Sequence, residues 1–157
     1  VNTLIHFKSV TDDNINELMA IENACHTHPW TLKTMQSCLQ GRYFNLAAFD
    51  DEQMIGFYIG EKAGPDFTLM DICVAPSFQG QGFAKQLLTQ FIAYGEQHSA
   101  ENLFLEVRES NTRAIALYER AGFTEMSVRK NYYPSDAPNK NGFEDAILMG
   151  MALGLNF

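Results

Sequence analysis

At 157 residues and 46% apolar side chains, the chain is the size of one domain with enough apolar material for a packed core, which excludes a disordered segment. No run of about eighteen uncharged apolar residues occurs, which excludes a membrane-spanning helix. A formal charge of −8 makes a polyanionic nucleic acid a poor direct partner and draws in a cationic peptide or amine.

Three cysteines, Cys25, Cys38 and Cys73, sit among apolar neighbours without CxxC or metal-ligand spacing. They read as reduced, packed thiols. The first residues lack the basic-then-apolar order of a secretory signal, so a cytoplasmic location is expected.

In chain order, Leu4 to Phe7 read as a short strand. Thr11 then precedes a helical face of Ile15, Leu18, Met19 and Cys25. Pro29 stops that region, and Trp30-Thr31 opens a second short helix carrying Met35, Cys38 and Leu39, with Thr31 as cap and Trp30 as hydrophobic staple. Phe44 to Phe49 and Met54 to Gly60 form two strands around a hairpin turn at Asp50-Asp51-Glu52-Gln53. Phe67 to Val74 is a strand after the turn Gly64-Pro65-Asp66. A long helix follows with Phe83, Leu87, Leu88, Phe91 and Ile92 on one side.

Asn102 to Arg108 is the next strand, and Asn111 to Ala121 a helix closed by Gly122. Phe123 to Tyr133 is extended, Pro134 to Gly142 is a polar loop, and Phe143 to Leu153 is the last strand. Hairpins dominate the first half and helical crossovers the second. The expected fold is therefore a single α/β (α+β) domain over residues 1–157, a mixed sheet with helices on both faces.

The run Gln79-Gly80-Gln81-Gly82-Phe83-Ala84 lies between a strand and a helix. Glycines before a helix N-terminus let the backbone approach a bound group and aim free N–H donors at it, and the helix dipole adds positive potential. An anionic ligand such as a pyrophosphate suits such a cradle, although a plain tight turn has the same composition. The run lacks the third glycine and following acidic residue of a dinucleotide fold, the Lys-Ser/Thr of a P-loop, and any Gly-x-Ser-x-Gly elbow.

Glu106 is the notable carboxylate. Strand alternation puts Leu103, Leu105 and Val107 on one face and Phe104, Glu106 and Arg108 on the other. Desolvation among apolar neighbours is expected to raise its pKa toward that of a useful base, while an ion pair with Arg108 or Arg129 is the plainer alternative. Tyr118 is a core tyrosine by its helical position, and Asn111 a helix N-cap. Tyr132 and Tyr133 either line a groove or pack on the sheet. His26-x-His28 has no third ligand nearby in sequence, so the pair reads as turn histidines and no metal is expected.

Gln79-x-x-Gly82-x-Ala84, after Val74-Ala75-Pro76 and before an amphipathic helix, resembles the acyl-CoA-binding pattern of the GNAT acetyltransferase superfamily. Asn111-x-x-Ala114-x-x-Leu117-Tyr118-x-x-x-Gly122-Phe123 resembles that family's second motif, and the order of elements is similar along nearly the whole chain. Within it, Leu105-Glu106-Val107-Arg108-x-Ser110-Asn111, Arg129-x-Asn131-Tyr132-Tyr133-Pro134, Glu144-Asp145-Ala146 and His28-Pro29-Trp30 resemble the bacterial enzymes that acetylate the N-terminal alanine of a small-subunit ribosomal protein.

The resemblance implies a central sheet of about seven mostly antiparallel strands. It implies acetyl-CoA as cosubstrate, held by the N–H groups of Gly80, Gln81, Gly82, Phe83, Ala84 and Lys85, by the backbone of Ile72, Cys73 and Val74, and by Asn111. It also implies Glu106 as general base, Tyr118 as general acid to the departing thiolate, and a peptide groove at Tyr132 and Tyr133. The expected partner is the N-terminal segment of a ribosomal protein, met by a monomer without direct nucleic-acid or membrane contact. Acetylation of lysine side chains or of a small amine such as a polyamine is an alternative, as is a non-catalytic acyl-CoA sensor.

Overall fold

A computed structural model describes residues 5–136 and 141–154. Leu4, expected to open the first strand, and residues 137–140 of the expected loop, together with any closure of that loop, lie outside the described residues. Seven strands form one sheet: β1 (Ile5–Lys8), β2 (Tyr43–Asp50), β3 (Gln53–Ala63), β4 (Asp66–Val74), β5 (Asn102–Arg108), β6 (Thr124–Pro134) and β7 (Phe143–Ala152). The helices are α1 (Ile15–Cys25), α2 (Leu32–Ser37), α3 (Phe83–Gln97) and α4 (Thr112–Ala121). The sheet order is β1-β2-β3-β4-β5-β7-β6, and β4 with β5 is its one parallel pair. The expected mixed, mostly antiparallel sheet of seven strands is the one observed.

Local chemistry sets the element ends. Thr11 and Asn14 form a reciprocal capping box around a 3₁₀ turn at Asp12–Asn14, so the expected first helix is split, with α1 proper starting at Ile15. Thr31 caps α2 by accepting from the Thr34 N–H at 3.2 Å. Asn111 caps α4 by accepting from the Ala114 N–H at 3.2 Å, and Gly122 closes it in the left-handed region at φ 112°. None of the described helices is long and apolar enough to cross a membrane.

Two apolar layers flank the sheet. On one face Leu87, Leu88 and Phe91 of α3 and Tyr118 of α4 pack against Leu103, Leu105 and Val107 of β5 and Phe67 and Leu69 of β4. On the other, Leu18 and Ile21 of α1 and Met35 of α2 pack against Ala47, Phe57 and Ile59. Each fully buried side chain of this kind contributes about 1.5–3 kcal/mol.

Strand β4 serves both layers because of a bulge. Leu69 pairs with Gly60 and Asp71 with Ile59, leaving Met70 without a cross-strand partner on β3. Before the bulge, Phe67 and Leu69 face α3; after it, Asp71 and Cys73 face α1.

The β4–β5 pairing ends at Leu69 with Leu105. Beyond that point β4 stays paired with β3 as far as Val74, and β5 stays paired with β7 as far as Arg108. The two strands therefore part, opening a cleft in the middle of the sheet between Met70–Val74 and Glu106–Arg108. Both walls expose backbone that a ligand can pair with.

Candidate active site

The first wall of the cleft is local in sequence. Gly80 and Gly82 take φ of 79° and 87°, the left-handed conformation that a side chain disfavours, and Gly82 is the N-cap of α3. No side chain caps that helix, and its first internal bond runs from the Gln86 N–H to the Gly82 carbonyl at 3.1 Å. The N–H groups of Phe83, Ala84 and Lys85 at the helix start are thus oriented for an anion. A Cβ on Gly82 would have open space around it, so the glycine is required by its backbone angle and not by crowding.

Gln79 does not face this cradle. Its amide donates to the Val74 carbonyl at 2.9 Å, as does the Cys25 thiol at 2.9 Å, and the pair ties the end of β4 to α1. Of the backbone at Ile72, Cys73 and Val74, the Val74 carbonyl is therefore already engaged. Lys85 is exposed on the helix surface.

Sequence reasoning missed Arg113. Its guanidinium lies 3.9 Å from where a Cβ on Gly80 would stand, which sets a cation beside the glycine turn. The available signal was topological: a helix that follows β5 begins next to the one that follows β4.

The second wall is assembled from distant segments. Glu106 lies one residue beyond the last β4–β5 pair, on the face opposite Leu105 and Val107 as expected. Its surroundings differ from the expected apolar ones. The side chain is 23% exposed, and its Oε1 pairs with Arg129 Nε at 3.2 Å. Of the two arginines considered for this pairing, Arg129 takes it.

Arg108 is held elsewhere. It donates to the Pro134 carbonyl at 2.6 Å and to Glu144 at 3.4 Å, and its guanidinium lies 4.5 Å from the Tyr133 ring centre. Glu144 also accepts from the Ser110 hydroxyl at 2.6 Å and the Ser110 N–H at 3.1 Å. Burial pushes the Glu144 carboxyl up, but the Ser110 hydrogen bonds and the Arg108 charge outweigh it and hold it below its ordinary value.

Tyr118 is buried in the apolar layer under α3 and α4, its ring edge-on to Phe123. Burial, then the charges of Asp71, Cys73 and Tyr133, raise its hydroxyl above the ordinary tyrosine value, so it is a firmly protonated donor at neutral pH. Tyr133 is pushed up to about 12, first by burial and then by the Glu106 charge. Tyr132 is 48% exposed, edge-on to Tyr133, with the Arg129 guanidinium 5.2 Å from its ring centre.

This pair sits on a distortion of β6, where Lys130, Asn131 and Tyr132 fall between the cross-strand partners Arg129 and Tyr133. Asn131 has φ 51°, and Asp145 accepts from its N–H at 2.9 Å and pairs with Lys130 at 3.2 Å. The structure therefore brings Glu106, Arg129, Tyr132 and Tyr133 to one side of the cleft. Asn111 stands at the start of α4 with its side chain engaged in the cap.

Next to the site lies a polar cluster that differs from expectation. Cys38 is buried in the apolar layer, but Cys73 and Cys25 are not among apolar groups alone. Cys73 Sγ is 3.0 Å from His26 Nε2, 3.3 Å from Glu22 Oε1 and 3.4 Å from Asp71 Oδ1. His26 and His28 are not a pair: His26 pairs with Asp71 at 3.0 Å, His28 with Asp136 at 3.7 Å. Burial, then the hydrogen bond to Asp71, raise Glu22 to about 8, and the Asp71 hydrogen bond raises His26. Burial raises Cys73, while a hydrogen bond from Cys73 brings Cys25 down to about 7.

A seven-stranded sheet parted between its parallel strands, with a glycine-led helix on one side of the cleft and a carboxylate and tyrosines on the other, defines an acyltransferase architecture. Residues 15–123 match the Acetyltransferase (GNAT) family. The chain belongs to that family. It is 36% identical over 146 residues to the [ribosomal protein bS18]-alanine N-acetyltransferase of Haemophilus ducreyi, covering 93% of this chain and 99% of that protein.

The enzyme of the same description from Escherichia coli K12 is 39% identical over 135 residues, covering 86% of this chain and 88% of its own length. A crystal structure of the Escherichia coli ribosomal-protein-S18-alanine N-acetyltransferase superposes with a TM-score of 0.91 at 35% identity, covering 98% and 97% of the two chains.

Proposed function

We propose that this chain transfers the acetyl group of acetyl-CoA to the α-amine of an N-terminal alanine on a small-subunit ribosomal protein of the bS18 type. In this reading the neutral amine attacks the thioester carbonyl directly while Glu106 takes up its proton. The tetrahedral oxyanion is met by an N–H of the free β4 edge, and collapse expels the CoA thiolate, which Tyr118 protonates. The amine nitrogen gains the acyl bond, the carbon–sulfur bond breaks, and no covalent enzyme intermediate forms. The same reading implies a monomer acting in the cytoplasm.

The observation that carries it is the parting of β4 and β5 with Glu106 one residue past the last pair. In this reading an extended pantetheine lies between the two parted strand edges, and an amine entering from the β6–β7 side meets the thioester beside the carboxylate. Arg129 supports the role by fixing the carboxylate at 3.2 Å, and the buried, protonated Tyr118 is suited to donate and not to accept.

The preference for an α-amine has a physical basis. An α-amino group has a pKa of about 7.7–8.0 against about 10.4 for lysine, which makes its neutral form commoner by over two orders of magnitude near pH 7, or about 3.5 kcal/mol. A single carboxylate base is therefore better matched to the α-amine than to lysine.

The test is a panel of peptides with acetyl-CoA read by mass spectrometry. An Ala-Arg-start peptide is expected to gain one acetyl group on its α-amine, and the same peptide with a blocked N-terminus and an internal lysine is expected to gain none. Acetylation of the blocked peptide at a comparable rate would overturn the α-amine assignment.

A further inference from the structure

We infer that Glu22, His26, Asp71 and Cys73 form a binding site for one tetrahedral divalent transition-metal ion of the zinc class, on the α1 side of β4 and adjoining the acetyl-transfer cleft. Two elements each supply two donors at the spacing their geometry requires. Glu22 lies on the last turn of α1 and His26 is the residue that ends the helix, its N–H bonded to the Glu22 carbonyl and its Nε2 3.8 Å from Glu22 Oε1. Asp71 and Cys73 alternate on β4 and share the face turned to α1 by the Met70 bulge.

The donor atoms converge. His26 Nε2 is 3.0 Å from Asp71 Oδ1, 3.0 Å from Cys73 Sγ and 3.8 Å from Glu22 Oε1. Cys73 Sγ is 3.3 Å from Glu22 Oε1 and 3.4 Å from Asp71 Oδ1, and all four donor atoms lie within 4.8 Å of one another. A tetrahedral ion with ligand distances of about 2.0–2.3 Å has ligand–ligand edges of roughly 3.3–3.7 Å, so the cluster needs only small side-chain adjustments to close on one.

Burial points the same way. The Glu22 and Asp71 side chains are 1% and 5% exposed. Two carboxylates, a thiol and an imidazole are donor types that a zinc-class ion takes, the ion displacing the protons that they carry without it. Asp71 Oδ2 is buried and, among the described residues, has no hydrogen-bond partner, so the second oxygen of a ligand carboxylate is unclaimed by the protein.

The supporting contacts resemble those that orient metal ligands elsewhere: the Trp30 N–H donates to the other Glu22 oxygen at 2.9 Å and so turns Oε1 inward. His26, at 38% exposure, is the side from which an ion enters. The mixed oxygen, nitrogen and sulfur set suits zinc over calcium or magnesium, which take oxygen alone. Four protein donors leave no open position, so the ion would join α1 to β4 and not activate water.

The experiment is a titration of the full chain, freed of metal by chelation and kept reduced, with cobalt(II) and then zinc(II). Expected are visible bands of tetrahedral cobalt and a near-ultraviolet thiolate-to-cobalt band, both saturating at one equivalent and both lost on adding one equivalent of zinc. Cys73→Ser should abolish the thiolate band, and His26→Ala, at the most exposed ligand, should weaken cobalt binding at least tenfold. Circular dichroism checks that each variant folds, and if Cys73→Ser does not, His26→Ala alone decides. Absence of a saturable tetrahedral signal, or its persistence unchanged in the folded variants, would overturn the site.

Discussion

The two walls of the central cleft are made differently. The wall at β4 and α3 is contiguous: the strand end, two left-handed glycines and a helix start fall within residues 70–86, and its donors are backbone N–H groups. The opposite wall draws Glu106 from β5, Arg129, Tyr132 and Tyr133 from β6, and Glu144 and Asp145 from β7, and is held by charged side chains. A backbone cradle keeps its geometry under most substitutions that spare the glycines. A side-chain wall changes with each residue, and so it is the wall where acceptor choice can vary while the donor stays the same.

Three perturbations separate the walls. Largest in effect, Glu106→Gln should lower the acetylation rate by about 10²–10⁴-fold while leaving the acetyl-CoA dissociation constant within about twofold. Stopped-flow or coupled-thiol kinetics with an alanine-start peptide, beside calorimetric acetyl-CoA binding, measure both. Equal losses in the two would mean that the walls are not independent.

Next is Glu144→Gln, which removes the charge binding Ser110 and Arg108 and should cost about 1.5–3 kcal/mol of stability. The folded carboxyl is held below its ordinary 4.5, so the ionised form is the stabilising one. Its contribution is complete above about pH 4.5 and is lost as the pH falls through the folded value. Urea unfolding should therefore show a gap between parent and variant at pH 7 that narrows as the pH falls below 4.5; a gap independent of pH would mean the network is not ionic.

The smallest effect belongs to the backbone wall. Gly82→Ala forces a side chain into φ 87°, at a cost of about 1–2 kcal/mol. Expressed in the cradle, that is roughly a tenfold loss of acetyl-CoA affinity. The rate at saturating acetyl-CoA should change less than the affinity, and the reverse pattern would detach the glycine from cofactor binding.

Most of the fold was legible because it is written locally. Thr31, Asn111 and Gly122 mark helix ends by their own side chains or lack of one, and alternation along Leu103–Arg108 gave the buried and open faces of β5 directly. The glycine wall was legible for the same reason.

What escaped was pairing across distance. Arg108 and Arg129 are equally plausible partners for Glu106 on paper, and the choice is made by β7 bringing Glu144 to Arg108. The acid–histidine–thiol cluster escaped because its members lie at the end of α1 and on β4, 45 to 51 residues apart across that contact, and because His26 on paper had only His28 beside it. Cys73 reads as apolar from its neighbours Ile72 and Val74, yet those point to the other face of the sheet.

The extra residue at Met70 means that β4 is written in two phases of a period-two code. Phe67 and Leu69 obey one parity, and Asp71 and Cys73, two odd numbers further on, occupy the opposite side. Were that methionine paired regularly, with no bulge, the strand would run in one phase and turn a carboxylate and a thiol into the oily layer under α3, while Ile72 and Val74 swung toward Glu22 and His26. A residue with 38% of its surface in solvent thus acts as punctuation: because the ladder skips it, the two sides of the sheet stay distinct.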